Sequence, residues 1–331
     1  MTRAYVGSYT ADGGAGLAVA EVDPATGALT VGLTVPGVPD ASWLACSPDG
    51  RFLYTTNELD PSGTVTALER CEPRPMVLNS RPTKGSAPTH LCVHPSGRYL
   101  LTANYGSGSV AVLPLGADGR LRALTDLVEH VGGLAHQVIM DPSGRWVLAV
   151  DLGIDSVFVY DLDLDTGKLL EHQHLTVGTG PRHLVWHPDG VHVYLVCENA
   201  SQVVVCTWDA TTGTLTAGQI VGTVTRVAVT PNFPGEGVVS PDGRFLYVTN
   251  RGDNSIATFA INGDGLALLH TVSCGGDWPR HAILDPNGRR LYVSNQRSGT
   301  VTWLPRDPSS GLVHPVSGNT KATAVAMVLF T

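Results

Sequence analysis

Four polar side chains stand at matching counts from a recurring proline. His136 and Arg182 lie six residues before Pro142 and Pro188; Glu198 and Arg251 lie ten residues after Pro188 and Pro241. Two guanidiniums with one carboxylate are suited to binding an anion, the carboxylate acting as a fixed ionic partner. His136 adds a side chain that changes charge near neutrality. The neighbouring position, five before the proline, holds Trp43, His90, Gln137, His183, Glu236 and His281, and Arg280 stands one residue before the last of these. Any one such histidine or arginine could serve only a neighbouring strand's carbonyl. Arg182, Glu198 and Arg251 taken together point to a site.

Whether residues so far apart in the chain can meet depends on the elements that carry them. One phrase recurs six times: CSPDGRFLYTTN, VHPSGRYLLTAN, MDPSGRWVLAVD, WHPDGVHVYLVC, VSPDGRFLYVTN and LDPNGRRLYVSN. Its prolines, Pro48, Pro95, Pro142, Pro188, Pro241 and Pro286, are spaced by 47, 47, 46, 53 and 45 residues. A fixed period of this size with short alternating apolar runs predicts a propeller or array. The runs flanking each Pro-x-Gly turn are rich in Val, Leu, Tyr and Thr, as strands of a hairpin are. A third run follows, such as Ser109–Leu113, Ser156–Tyr160 and Ser255–Phe259. A second turn, Asp-x-x-Thr-Gly-x-Leu, leads to a fourth run at Asp23–Leu29, Asp163–Leu169 and Asp209–Leu215. Four antiparallel strands per repeat make a blade.

The chain ends supply a seventh blade. Arg3–Ser8 reads as a second strand, Gly16–Asp23 as a third, Leu29–Pro36 as a fourth, and the C-terminal run Ala322–Phe330 as the missing first. A blade shared between the termini leaves no open edge. Six blades with a loose tail is the competing count. The expectation is one all-β, seven-bladed β-propeller domain over residues 1–331, four antiparallel strands per blade. In that topology the Pro-x-Gly and Thr-Gly turns share one face. The residues before the first strand and after the second share the other, where identity varies from blade to blade and His, Arg and Glu concentrate.

Composition narrows the function. The 331 residues carry a net charge of −8, with no basic stripe, so nucleic acid is not an expected partner. No apolar run is long enough to span a membrane, and residues 1–20 lack a signal-peptide pattern. Cys46, Cys71, Cys92, Cys197, Cys206 and Cys274 have no close metal spacing, and several fall inside strand patterns as small apolar residues. The expectation is a cytoplasmic protein with no cofactor and no metal, a monomer or weak homo-oligomer. His90 and His94, like His183 and His187, are spaced as helical zinc ligands are. On a strand that spacing spans about 13 Å, too far for one ion; His94 and His187 are expected to serve the turn face. Gly106-Ser-Gly-Ser109 has no helix after it to cradle a phosphate. Trp43 and Trp278 are close enough to the variable rim to line a pocket; Trp186 and Trp208 read as packing between blades.

The sequence resembles the seven-bladed propeller lactonases of the 6-phosphogluconolactonase type, a family that also contains carboxy-muconate cyclase. The resemblance spans the chain. Its most specific pieces are Gly180-Pro-Arg-His-Leu184, Ser240-Pro-Asp-Gly-Arg-Phe-Leu-Tyr-Val-Thr-Asn-Arg-Gly252, Ala135-His-Gln137, Val150-Asp-Leu-Gly153 and the closing Val328-Leu-Phe330. It implies His136, Arg182, Glu198 and Arg251 as the active-site set, the positions that the rim count selects. Two departures stand out. Gly133-Leu-Ala-His136 lacks the family's earlier histidine, and the segment before the strand leading to Ser-Pro-Asp-Gly is reduced to Pro231–Gly237.

The implied chemistry is opening of a small-molecule sugar lactone, 6-phosphogluconolactone-like, by water. His136 or Glu198 would take the water's proton. Arg182 or Arg251 would meet the oxyanion. The remaining arginine, with Arg280, His183, His281 and Gln137, would hold the anionic substrate. Two other readings keep the fold: a cycloisomerase or tailoring enzyme on a carboxylated substrate, and a non-catalytic binding module.

Overall fold

The computed structural model describes residues 2–225 and 231–331. Twenty-eight strands form seven four-stranded antiparallel sheets, and among the described residues there is no helix. These are the seven blades that the repeat predicts. The chain divides into two compact units, one of Met1–Leu33, Arg182–Trp208 and Thr216–Thr331, the other of Thr34–Pro181 and Asp209–Leu215.

In the first unit, Val325–Phe330 pairs with Thr2–Ser8, which pairs in turn with Leu17–Val22, and Leu29–Val35 completes the sheet. Ala4 faces Phe330, Tyr5 faces Leu329 and Val6 faces Val328, so the C-terminal strand is the first strand of the N-terminal blade. The competing count of six is excluded. The unit also holds the sheets that begin with Pro181–Trp186, Phe233–Val239 and Pro279–Leu284. The second unit holds those that begin with Ala41–Cys46, Pro88–Val93 and Ala135–Met140.

The recurring residues explain themselves in each unit. Glycine at the Pro-x-Gly turn takes a left-handed conformation, as at Gly243 with φ +72, and its amide closes the turn on Ser240 at 2.9 Å. The tyrosine of the phrase is buried, and in three copies its hydroxyl donates to a turn carbonyl of the adjacent sheet: Tyr54 to Gly119, Tyr247 to Gly311 and Tyr292 to Gly27. Such a bond satisfies the one polar atom of an otherwise apolar contact. His94 and His187 do serve the turns, reaching the carbonyls of Gly144 and Gly243 at 2.8 Å each. Asp151 anchors its loop: it accepts from the Leu134 and Gly153 amides and meets His130, which reaches Tyr160 on its other side.

One irregularity was not legible in the repeat. Where the first strand of a blade meets the second, the register slips between Ala41 and Leu44, Pro88 and His90, Ala135 and Gln137, Pro234 and Gly237, and Pro279 and His281. A bulge leaves residues without a ladder partner and re-aims their side chains. The residues so released are Ser42 and Trp43, Thr89, His136, Gly235 and Glu236, and Arg280. These are the positions six and five before the proline, so the bulge is the device that turns the variable residues out of the sheet.

Candidate active site

Arg182, Glu198 and Arg251 come together in the first unit. Arg182 is the second residue of the strand Pro181–Trp186, Glu198 follows the strand His192–Cys197, and Arg251 ends the strand Phe245–Arg251. Both arginines converge on one oxygen. Arg182 Nη1 donates to Glu198 Oε2 at 2.8 Å, and Arg251 Nη2 lies 2.6 Å from the same atom. Arg251 is also locked to the backbone, donating from Nε to the Phe233 carbonyl at 2.9 Å and from Nη2 to that of Pro234 at 3.2 Å. Its guanidinium lies over the Trp278 ring at 5.4 Å. Arg182 is buried too, yet its Nε makes no hydrogen bond to the described residues.

Electrostatics separates the roles. Burial pushes the Glu198 carboxyl up, but the two guanidiniums outweigh it and hold it at about 2. A carboxylate held that low takes up a proton poorly near neutrality, so Glu198 suits the task of fixing the arginines rather than that of base. Burial, with Arg182 beside it, lowers Arg251 to about 9, and Glu198 limits the fall. Glu198→Ala would leave two buried guanidiniums repelling each other. We expect it to cost about 3–5 kcal/mol of stability, read as a shift of the urea midpoint, with Glu198→Gln milder.

A second cluster stands in the same field. The His183 ring meets the Glu236 carboxyl at 3.1 Å, and the Glu236 amide donates to Thr249 Oγ1 at 2.9 Å. Burial raises the Glu236 carboxyl to about 7, against the pull of His281, Arg182 and Arg280. Burial lowers His281 to about 4 and His183 well below the usual range, the arginines adding to the effect. Both imidazoles are therefore neutral at pH 7, and offer hydrogen bonds to a substrate rather than charge. Arg280 is half-buried, with its guanidinium 5.4 Å from the Tyr9 ring centre. Gly235 is required here: a Cβ would fall 2.7 Å from Thr249 Oγ1 and 3.0 Å from the Arg280 carbonyl.

His136 and Gln137 belong to the second unit, both buried on the strand Ala135–Met140. The His136 ring meets Tyr105 edge-on at 5.7 Å, and its carbonyl accepts from Thr89 Oγ1 at 3.0 Å. Glu236 is the residue that sequence reasoning passed over. Its place among His183 and His281 was visible; its burial was not. A groove of about 540 Å³ elsewhere in the first unit is lined by Gln296, Arg297 and Lys321 among others. Arg182, Glu198, Arg251 and Glu236 are not among its walls, so it lacks both the ion pair and the raised carboxyl.

Paired arginines braced by a carboxylate, beside a carboxyl poised near neutrality, are equipment for attack on a carbonyl. Comparison with known proteins agrees. Residues 3–330 match the family described as Lactonase, 7-bladed beta-propeller. The chain is 32% identical over 321 residues to the 6-phosphogluconolactonase of Bacillus subtilis (strain 168), covering 93% of this chain and 92% of that protein. A solved protein from Lactobacillus plantarum is 32% identical with a TM-score of 0.94, covering 100% of this chain and 99% of the other. The periplasmic gluconolactonase of Pseudomonas aeruginosa is 31% identical with a TM-score of 0.95 and the same coverage. A match over nearly every residue, joined to these relatives, means that the chain belongs to the seven-bladed β-propeller lactonase family.

Proposed function

We propose that this lactone hydrolase opens a sugar lactone carrying a phosphate, in the manner of 6-phosphogluconolactone. The observation that carries the reading is the buried Arg182–Glu198–Arg251 set, with Arg182 Nε left without a partner among the described residues, in the field of Glu236. Glu236 as carboxylate takes a proton from water as the oxygen attacks the lactone carbonyl. Arg182 stabilises the oxyanion. When the ring C–O bond breaks, protonated Glu236 returns the proton to the departing alkoxide, giving the open hydroxy acid. Arg280 supplies charge to the phosphate, and His183 and His281 hydrogen-bond the sugar. Six free thiols support the expectation of a reducing, cytoplasmic setting.

His136 as base rests on its sequence position, and remains a proposal alongside Glu236. The test is hydrolysis of 6-phosphogluconolactone and of its unphosphorylated form, each against a matched no-enzyme control. We expect kcat/KM about tenfold or more higher for the phosphorylated lactone, the share of one charged contact. His136→Ala should lower turnover about a hundredfold or more. Equal use of both lactones would remove the phosphate from the reading, and wild-type turnover by His136→Ala would remove that residue. Turnover of neither lactone above the control would overturn the proposed activity. The second reading is a cycloisomerase or tailoring enzyme on a carboxylated substrate, whose carboxylate the Arg182 and Arg251 pair would hold; tight dicarboxylate binding without lactone turnover would select it.

A further inference from the structure

The turn after the strand Pro181–Trp186 departs from its siblings. In four sibling turns one hydroxyl pairs with one partner: Ser47 donates to Asp49 at 2.6 Å, Ser143 to Asp141 at 2.7 Å, Ser240 to Asp242 at 2.5 Å, and His94 Nδ1 meets Ser96 Oγ at 2.8 Å, while in the fifth Asp285 accepts from the Arg289 and Arg290 amides. At His187 and Asp189 there is no hydroxyl. A second histidine, His192, stands where the other copies have Phe52, Tyr99, Trp146, Phe245 and Arg290.

The outer nitrogens of both rings face acceptors. His187 Nε2 lies 2.8 Å from the Gly243 carbonyl oxygen, and His192 Nε2 lies 3.0 Å from Asp264 Oδ1. Neither partner has a proton to give at neutral pH, so each Nε2 carries the hydrogen. In a neutral imidazole the Nδ1 is then a lone pair. Both Nδ1 atoms close on the same oxygen, Asp189 Oδ2, at 2.9 and 2.7 Å. The other oxygen of Asp189 is taken by the Val191 and His192 amides at 2.8 and 2.9 Å. The Asp189 amide, 3.2 Å from His187 Nδ1, also approaches the cluster as a donor. With both rings neutral, three potential ligand atoms share a space in which each lies within 4.8 Å of the others. Such a gathering calls for a cation.

We infer that His187 Nδ1, Asp189 Oδ2 and His192 Nδ1 form a binding site for a divalent transition-metal ion, with zinc the best fit. Two imidazoles and a carboxylate with a fourth position open to water are a zinc ligand set. The supporting shell is present as well. Ligating histidines give their other N–H to a carbonyl or carboxylate, here Gly243 and Asp264. Ligand atoms around tetrahedral zinc stand about 3.3–3.5 Å apart, so Asp189 Oδ2, now 2.9 and 2.7 Å from the two ring nitrogens, need draw back from each by only about half an ångström. Side-chain exposures of 16%, 37% and 15% leave the site open to an ion from solvent. Gly243 has no Cβ to meet His187 Nε2, which would otherwise lie 2.6 Å away. Gly243 and Asp264 belong to the next blade, so the ion would clasp two adjacent sheets of the first unit. Arg182, the second residue of the strand that His187 follows, is five residues or about 16 Å away, so the clasp is independent of the lactone chemistry.

The test is zinc titration of the full chain against a chromogenic chelator, with cobalt(II) absorption as a second readout. We expect one equivalent of tight zinc, four-coordinate cobalt bands, and zinc binding about a hundredfold weaker in His192→Phe and in Asp189→Ser. Phe at this place is what Phe52 and Phe245 provide in sibling blades, and Ser is what Ser96 provides, so both variants keep the fold. Absence of a tight equivalent in the wild type would mean that protons occupy the cluster and would overturn the inference. Unchanged binding in both variants would place zinc on other histidines and overturn it equally.

Discussion

Arg182→Ala should lower kcat/KM for lactone hydrolysis about a thousandfold, the upper range for loss of one oxyanion donor. Arg182 and Arg251 look equivalent in sequence, but their hydrogen bonds differ. Arg251 spends Nε and Nη2 on the Phe233 and Pro234 carbonyls as well as on Glu198, and stands over Trp278. Among the described residues Arg182 has a single bond, from Nη1 to Glu198, and its Nε meets no acceptor. The structure supports Arg182 as the donor to developing charge and Arg251 as its brace. Glu198 still has Arg251 for a partner when Arg182 is removed, so the variant should fold. Arg182→Lys should restore little, because one ammonium cannot both hold Glu198 and reach a second acceptor as a planar fork does. Added guanidinium should recover part of the rate in Arg182→Ala and none in Arg251→Ala. Wild-type kinetics in Arg182→Ala would remove this residue from the chemistry.

The repeat made the blades legible because each copy carries its own turn chemistry. Pro-Asp-Gly sets the hairpin, Asp-x-x-Thr-Gly sets the next turn, and the shared tyrosine reaches the neighbouring sheet through Gly27, Gly119 or Gly311. The termini were legible too, since Val325–Phe330 carries the apolar pattern that Thr2–Ser8 needs beside it. The site was legible as positions rather than as roles. Counting from the prolines selected Arg182, Glu198 and Arg251, and the same counting put Glu236 beside His183 and His281. What counting lacks is the bulge between Pro234 and Gly237, and the burial that comes with it. Glu198 read as a possible base because carboxylates often are. Only the two N–O distances to a single oxygen show why its proton affinity is so low. The His187–Asp189–His192 cluster escaped for a related reason. The strand spacing of His183 and His187 rules out one shared ion, whereas His192 returns to His187 only across the turn.

Glu236→Gln should remove about a thousandfold of the rate, within the range of a general base. The wild-type pH profile of kcat/KM should rise tenfold per pH unit up to about 7, where Glu236 loses its proton, and fall above about 9, where Arg251 loses its charge. In Glu236→Gln the acidic limb should vanish while the alkaline limb stays. Stability supplies an independent readout with a defined sign. Folding raises the Glu236 pKa from 4.5 to about 7, so between those values the folded chain holds a proton that the unfolded chain has released. Stability contributed by this group is therefore full below pH 4.5 and lost as pH rises through 7, by about 3 kcal/mol. The glutamine variant has no such loss, so it should gain on the wild type between pH 5 and pH 8 in urea midpoints. Glu198 acts in the opposite sense: its stabilisation is present above pH 4.5 and lost as pH falls toward 2, so the two windows do not overlap. A limb near pH 7 that persisted in Glu236→Gln, with turnover near that of the wild type, would transfer the proton to another acceptor and leave Glu236 a structural group.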